Sequence, residues 1–376
     1  MLDKNSKLEN SANIKDLKID NKQRDLVLDF ANKVALNDAF DPEVLSYCEL
    51  KLDNYTHICL VNFADIHFFD QGMKKARFDK ASEFLKNTTN AYSVLSGDTF
   101  TVSTLSGASN AHINKINNTN SAILGKECLN NIKDKILFGV GGNHDGEHGS
   151  RNRDSNIGIT RLVLDSIKVP YFQYNALLKI EVYNHPFYIL VTHGCGKAST
   201  KASALDTIKA KCNNICSRFG IYPNLVLTGH FHADVNGRYL TQVPVYKNGQ
   251  LVSTKTQELI IESAPALQGD SEFTTAYNID ITKPNVNAFD ISFKKNPYYN
   301  TQNQHSESPI IWNINKFPIL RQTKDELSLP AKNYMKHYLE PKNLKEEVAK
   351  VIDNKGINLD NVTKAIKKLG EEVKSL

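Results

Sequence analysis

The stretch HICLVNFADIH, His57 to His67, decides how this chain folds. Its first seven residues are mostly apolar, carry one internal asparagine and contain neither glycine nor proline, so they read as a strand buried on both faces. Asp65 and His67 follow at i and i+2. In extended backbone those two side chains leave on the same side while Ile66 turns away, so a pair of metal-ligand-type groups is offered where the strand ends. The same arrangement recurs four times downstream. AYSVL from Ala91 runs into Ser-Gly-Asp98, and KILFGV from Lys135 into Gly-Gly-Asn143-His144-Asp145. PFYILV from Pro186 leads to Thr-His193-Gly, and NLVL from Asn224 to Thr-Gly-His230-Phe-His232.

One Asp-X-His or Gly-Asp arises by chance, but five clusters at five strand ends define a common site. Asp65, His67, Asp98, Asn143, His193, His230 and His232 supply oxygen and imidazole ligands and no thiolate. That set suits borderline divalent ions, manganese first, with iron or zinc as alternatives, in an open site. By strand alternation, His230 and His232 should serve one pocket together, as should Asp65 and His67. Glycine beside Asp98, Asn143, His193 and His230 permits tight turns and close main-chain approach. Only Asp65 and Asp98 bring negative charge, so two divalent cations leave the pocket positive and suited to an anionic substrate. His144 adjoins Asn143 and so points elsewhere, free to assist a leaving group. Asp145 reads either as its orienting partner or as a helix-cap or turn residue.

The five clusters, spanning about Leu60 to Ala233, resemble the signature of the calcineurin-like metallophosphoesterase superfamily. The resemblance implies an α/β fold, a four-layer αββα sandwich of two mixed sheets with the metals at the strand C-termini. It assigns Asp65, His67 and His232 to one metal, Asn143, His193 and His230 to the other, and Asp98 to both. It implies hydrolysis of a phosphate ester by a hydroxide held between the metals, with His144 of Gly-Asn-His-Asp protonating the leaving oxygen. The protein-phosphatase branch continues its Gly-Asp cluster with a further Asp-Arg-Gly element, whereas here Asp98 is followed by Thr-Phe-Thr-Val. A phosphodiester of nucleic acid or nucleotide is therefore preferred over a phosphomonoester or a phosphoprotein. A non-catalytic scaffold on the same fold is the rival from another class, but such relatives erode a ligand or the active histidine, and all are present here.

Lys197, Lys201, Lys209, Lys211 and Arg218 stand against one acid, Asp206, just after His193, and His148, Arg151 and Arg153 follow the Gly-Asn-His-Asp cluster. His148 and Arg151 are candidate substrate contacts. A solvated helix face for the lysines and turn positions for the arginines is the preferred reading, and no basic stripe interleaved with aromatics marks a nucleic-acid groove. A net charge of +5 over 376 residues implies neither nucleic acid nor membrane by itself. The opening MLDKNSKLENSANIKDLKIDNKQRD has no apolar core, and no apolar run is long enough to span a bilayer, so the expectation is a cytoplasmic protein of a bacterium or phage. The six cysteines read as reduced thiols, with Cys195 as a small buried residue and Cys212 and Cys216 one helical turn apart.

Residues 1–55 read as a polar, partly helical extension with Gln23 to Val34 its best amphipathic stretch, 56–294 as the catalytic domain, and 295–376 as an irregular tail followed by amphipathic helices. The terminal helices are candidates for pairing with a second copy. Helices are expected at about Lys74–Asn87, Ala122–Ile132, Ser155–Ile167 and Ser199–Arg218. The Thr99–Ser121 insertion, which includes His112, reads as a lid or as a disordered loop. TQELIIES from Thr256, TAYNIDI from Thr275 and NAFDISF from Asn287 are expected to complete the second sheet.

Overall fold

The computed structural model describes residues 12–14, 47–52, 57–70, 72–102, 116–145, 158–194, 196, 198, 200–247, 250–267, 285–297, 309–321 and 324–338. Its strands are β1 Ala12–Ile14, β2 Tyr47–Lys51, β3 His57–Phe63, β4 Ala91–Ser96, β5 Ile136–Val140, β6 Tyr171–Phe172, β7 Asn175–Val182, β8 His185–Thr192, β9 Leu225–Thr228, β10 Val235–Lys247, β11 Gln250–Ser263, β12 Asn287–Lys295 and β13 Ile310–Pro318. Its helices are α1 Lys75–Lys86, α2 Asn118–Asn130, α3 Ile159–Ser166, α4 Lys201–Phe219 and α5 Leu329–His337.

One sheet runs β13-β12-β3-β4-β5-β6, the other β1-β2-β7-β8-β9-β11-β10. Both are mixed. β3, β4, β5 and β6 are parallel, whereas β12 is antiparallel to both β3 and β13. β8, β9 and β11 are parallel, flanked by antiparallel β7 and β10.

Alternation along each strand builds the layers. Ile58 and Leu60 of β3, Val94 of β4, Phe187, Ile189 and Val191 of β8 and Leu225 and Leu227 of β9 meet in a core between the sheets. Cys59, Val61 and Phe63 of β3 face the other way, onto Phe78, Phe84 and Leu85 of α1, Leu129 of α2 and Leu164 of α3. Leu190 of β8 and Val226 of β9 face Ile208, Cys212 and Cys216 of α4. The order is helices, sheet, sheet, helix: the four-layer αββα sandwich. Each of these buried large side chains is worth roughly 1.5 to 3 kcal/mol.

The four expected helices form within a few residues of their expected bounds. α2 begins earlier than expected because the Asn117 side chain caps it, accepting from Asn120 N at 2.8 Å. α4 carries a Thr200/Ser203 capping box and stops at Gly220 in the left-handed region.

Three expectations are corrected. TQELIIES and NAFDISF do not complete one sheet, because β11 joins the seven-stranded sheet and β12 the six-stranded one. The tail expected to be irregular from residue 295 onward is not irregular throughout, since it contains β13. In IIWNINKFP, Ile310 and Ile314 alternate into the inter-sheet core while Ile311 and Asn313 face outward, a period-two pattern hidden in an Asn- and Pro-rich composition. Within the polar N-terminal stretch, Ala12–Ile14 and Tyr47–Lys51 are strands at the edge of the larger sheet, with Cys48 and Leu50 fully buried. The Gln23–Val34 stretch, most of the Thr99–Ser121 insertion with His112, TAYNIDI and the C-terminal Pro341–Leu376 helices lie outside the described residues.

Candidate metal centre

All five clusters sit just beyond the C-terminal ends of parallel strands: β3, β4 and β5 in one sheet, β8 and β9 in the other. The sheets are pinned together there. Asn62, the polar residue inside the run HICLVNF, donates to Thr228 O of β9 (3.2 Å) and accepts from Ser96 Oγ of β4 (2.7 Å).

The loops do not continue as extended backbone. Asp65, His67, Phe69, Asp98, His230 and His232 all have positive φ, six of the nine such non-glycine residues among those described. A left-handed L-residue costs about 1–2 kcal/mol, so this concentration of strain marks a site that the surrounding structure holds in place. Strand alternation therefore fails to predict where the side chains go. Asp65 and His67 converge as expected, but His230 and His232 separate: His232 Nε2 lies 3.3 Å from Asp65 Oδ1, while His230 Nδ1 lies 2.8 Å from Asn143 Oδ1.

Two trios emerge, Asp65 with His67 and His232, and Asp65 with Asp98 and His193, each with ligand atoms within 4.8 Å of one another. Asn143 and His230 extend the second: His193 Nε2 stands 2.9 Å from Asn143 Oδ1, 2.9 Å from Asp98 Oδ2 and 3.3 Å from His230 Nδ1. Main-chain carbonyls fix the tautomers, since they only accept. His193 Nδ1 donates to Ser96 O (3.0 Å) and His230 Nε2 to Gly196 O (2.6 Å), which turns the other ring nitrogen of each toward the cluster of Asn143 and Asp98. Four acceptor atoms this close need a proton or a cation among them. His67 Nε2 is likewise buried with no hydrogen-bond partner. The donor set fits divalent cations.

Charge follows the same geometry. Burial pulls the His67 pKa down to about 4, with His144 and His232 adding to the effect, so its ring is neutral. Burial also opposes charge on His193, yet Asp98 above all raises its pKa to about 9. The Asp98 carboxyl, buried though it is, is held well below the usual range by His193, His144 and His67. His230 is lowered by burial and by His193.

Glycine makes the approach possible. A Cβ on Gly142 would overlap the Asp98 carboxylate, and one on Gly97, at φ +88°, would enter the His193 ring. The floor of Asp65, His67, Asp98 and His193 is buried, while Asn143 is exposed and His144, His230 and His232 are half-buried, so the site opens on one side.

His144 is placed by its main chain. Its N–H donates to Asp98 Oδ1 (2.7 Å), its carbonyl accepts from Val102 N (2.9 Å), and its ring meets His67 edge-on at 5.3 Å between centroids. Asp145, fully buried, accepts from Phe100 N (3.1 Å), Gly142 N (2.7 Å) and the Thr160 hydroxyl (2.6 Å), and its carbonyl receives Ile159 N at the start of α3 (3.2 Å). Burial and Asp98 raise its pKa to about 6 against those three donors. Its hydrogen bonds brace the loop and the helix, and its link to His144 is the backbone they share. His148, Arg151 and Cys195 lie outside the described residues. Lys211 donates to Gly194 O (2.9 Å) and Lys209 lies over the Tyr239 ring, so these two basic residues serve the His193 loop and the β10 strand.

The residues that sequence reading missed are the supports: Asn62, Ser96, Thr101, Asp70 and Gly196. A polar residue inside the apolar run HICLVNF was the one available signal, for Asn62.

No family model matches the chain, and no curated protein matches it. Among solved structures, vacuolar protein sorting 29 from Cryptosporidium parvum is similar at 13% identity and TM-score 0.32, covering 70% of this chain and 100% of that one. The 5'-nucleotidase from Candida albicans is similar at 9% identity and TM-score 0.34, covering 74% of this chain and 56% of that one. Vacuolar protein sorting 29 from Chaetomium thermophilum is similar at 7% identity and TM-score 0.29, covering 69% and 98%. Among the described residues no helix is long and apolar enough to cross a membrane.

Proposed function

We propose that this chain is a metal-dependent phosphoesterase, hydrolysing a phosphate ester with two divalent cations at the centre built by Asp65, His67, Asp98, Asn143, His193, His230 and His232. The observation that carries the reading is the convergence of carboxylate, amide and imidazole ligand atoms from five strand ends on two adjoining sites. Cations bound there would neutralise phosphoryl charge and lower the pKa of a water to make a nucleophile. Asp65, His67 and His232 would hold one, Asn143, His193 and His230 the other, with Asp98 shared. Asp98 also accepts the His144 main-chain N–H, so the residue that joins the two sites fixes where His144 starts. From its half-buried position at the open side, the His144 ring is available to pass a proton to a departing oxygen.

A phosphodiester of nucleic acid or nucleotide is our preferred substrate, with manganese as the metal. The opening of the site on one side supports an extended anion. Turnover of bis-p-nitrophenyl phosphate and p-nitrophenyl phosphate with added Mn²⁺ tests this: faster diester hydrolysis is expected. Faster monoester hydrolysis would replace the diesterase reading, and inactivity on both and on phosphopeptides with every metal would make the chain a scaffold. Asp98→Asn should lose bound metal, whereas His144→Asn should keep it and lower kcat by about two to four orders of magnitude. Equal loss of metal in both variants would contradict the separate roles.

A further inference from the structure

Resting on the metal-centre reading above, we infer that Thr101 and Asp70 form a hydroxyl–carboxylate relay that locks His67 in the tautomer whose Nε2 lone pair faces the cation pocket, making both of them positioning residues. The loops after β3 and β4 run side by side, with Asp65 N on Gly97 O (3.2 Å), His67 N on Asp98 O (3.0 Å) and Phe68 N on Thr99 O (2.9 Å). That pairing carries Thr101 beside His67. A turn closed by Asp70 N on His67 O (3.0 Å) brings the Asp70 carboxylate to the same place.

The proton order follows from chemistry. The Thr101 hydroxyl lies 3.2 Å from Asp70 Oδ2 and 2.7 Å from His67 Nδ1. A carboxylate only accepts, so the single hydroxyl proton goes to Asp70. The Thr101 oxygen is then the acceptor, and His67 Nδ1 must carry the ring proton. Nε2 keeps its lone pair, and it is Nε2 that is buried without a hydrogen-bond partner beside Asp65 and His232. His193 and His230 have their tautomers set by main-chain carbonyls, which sequence cannot alter, whereas His67 depends on two side chains. Removing the hydroxyl lets the proton move to Nε2, where it would block a ligand position.

The test uses the full chain. In ¹⁵N-histidine-labelled protein with EDTA, the His67 ring nitrogens, assigned by their loss in His67→Asn, should show the Nδ1–H form; Thr101→Val should show a mixture and Thr101→Ser should restore the wild-type pattern. Mn²⁺ affinity by calorimetry should fall about 10- to 100-fold in Thr101→Val and return to within about 3-fold in Thr101→Ser. An unchanged urea midpoint for Thr101→Val would separate this effect from general unfolding. The relay is wrong if Thr101→Val keeps both the Nδ1–H form and wild-type Mn²⁺ affinity, or if wild-type His67 is protonated at Nε2. Should wild-type protein bind no divalent cation, the metal-centre reading fails while the tautomer measurement still decides the relay.

Discussion

At the scale of single residues, the site is built from groups that cannot satisfy one another. His193 spends its Nδ1 proton on Ser96 O, and its Nε2 is left facing a carboxylate, an amide oxygen and a second imidazole. Such a cluster is stable only around a positive charge, which is why these residue types at five strand ends were readable as ligands at all. Their supports were not readable. Ser96 and Thr101 look like any other small polar residue in sequence, and acquire a role only when folding brings β4 beside β3 and β8. Strand alternation also misplaced one pair, because His230 and His232 both sit in left-handed conformations that sequence spacing does not reveal. Gly97 tests how closely the floor is packed. Gly97→Ala should cost about 1–2 kcal/mol through its positive φ alone. The added methyl must also displace the His193 ring, so Mn²⁺ affinity should drop by roughly tenfold or more. Urea unfolding and calorimetry would measure the two effects, and wild-type affinity in Gly97→Ala would show that His193 is not held where the geometry places it.

At the scale of elements, strand ends do most of the positioning, and one of the strands that sequence reading missed, β13, contributes to it. β13 was obscured by its Asn- and Pro-rich surroundings, while the continuous apolar runs of β3, β4, β5, β8 and β9 stood out because parallel strands covered on both faces carry no polar alternation. β13 edges the six-stranded sheet, yet its Lys316 reaches across the sandwich to Glu262 of β11 (2.7 Å) and to Asp234 (2.5 Å), two residues beyond His232. Asn287 at the start of β12 adds a bond to Asp234 (3.4 Å). The Lys316 side chain thus ties the His230–Asp234 loop to both sheets. Glu262, largely buried, would be stranded by Lys316→Met, at an expected cost of about 1–3 kcal/mol after allowance for the partial exposure of Lys316 and Asp234. Glu262→Gln combined with Lys316→Met should cost less than Lys316→Met alone, since no buried charge is then left unpaired. A double-mutant cycle by urea unfolding measures this, and additive losses would mean that the two side chains do not interact.

At the scale of the whole molecule, the centre draws on both sheets at once. Asp65, His67, Asp98 and Asn143 come from the six-stranded sheet, His193, His230 and His232 from the seven-stranded one. Opening the sandwich would pull every ligand trio apart, because each contains residues from both sheets. Binding there should therefore appear as stability of the entire fold, not of one loop. An ion present at about 100 times its Kd adds about 2.7 kcal/mol, which for a core of this size corresponds to a rise in Tm of roughly 5 °C. EDTA should remove the rise, and, with Asp98 shared between the two ions as proposed, Asp98→Asn should abolish it. Loss of the packing between the sheets and of the helix content should stay coincident with and without Mn²⁺ when followed by near- and far-ultraviolet circular dichroism. A metal-dependent shift confined to one of the two signals would place the ion away from the seam, and the assignment of a centre shared between the sheets would have to be abandoned.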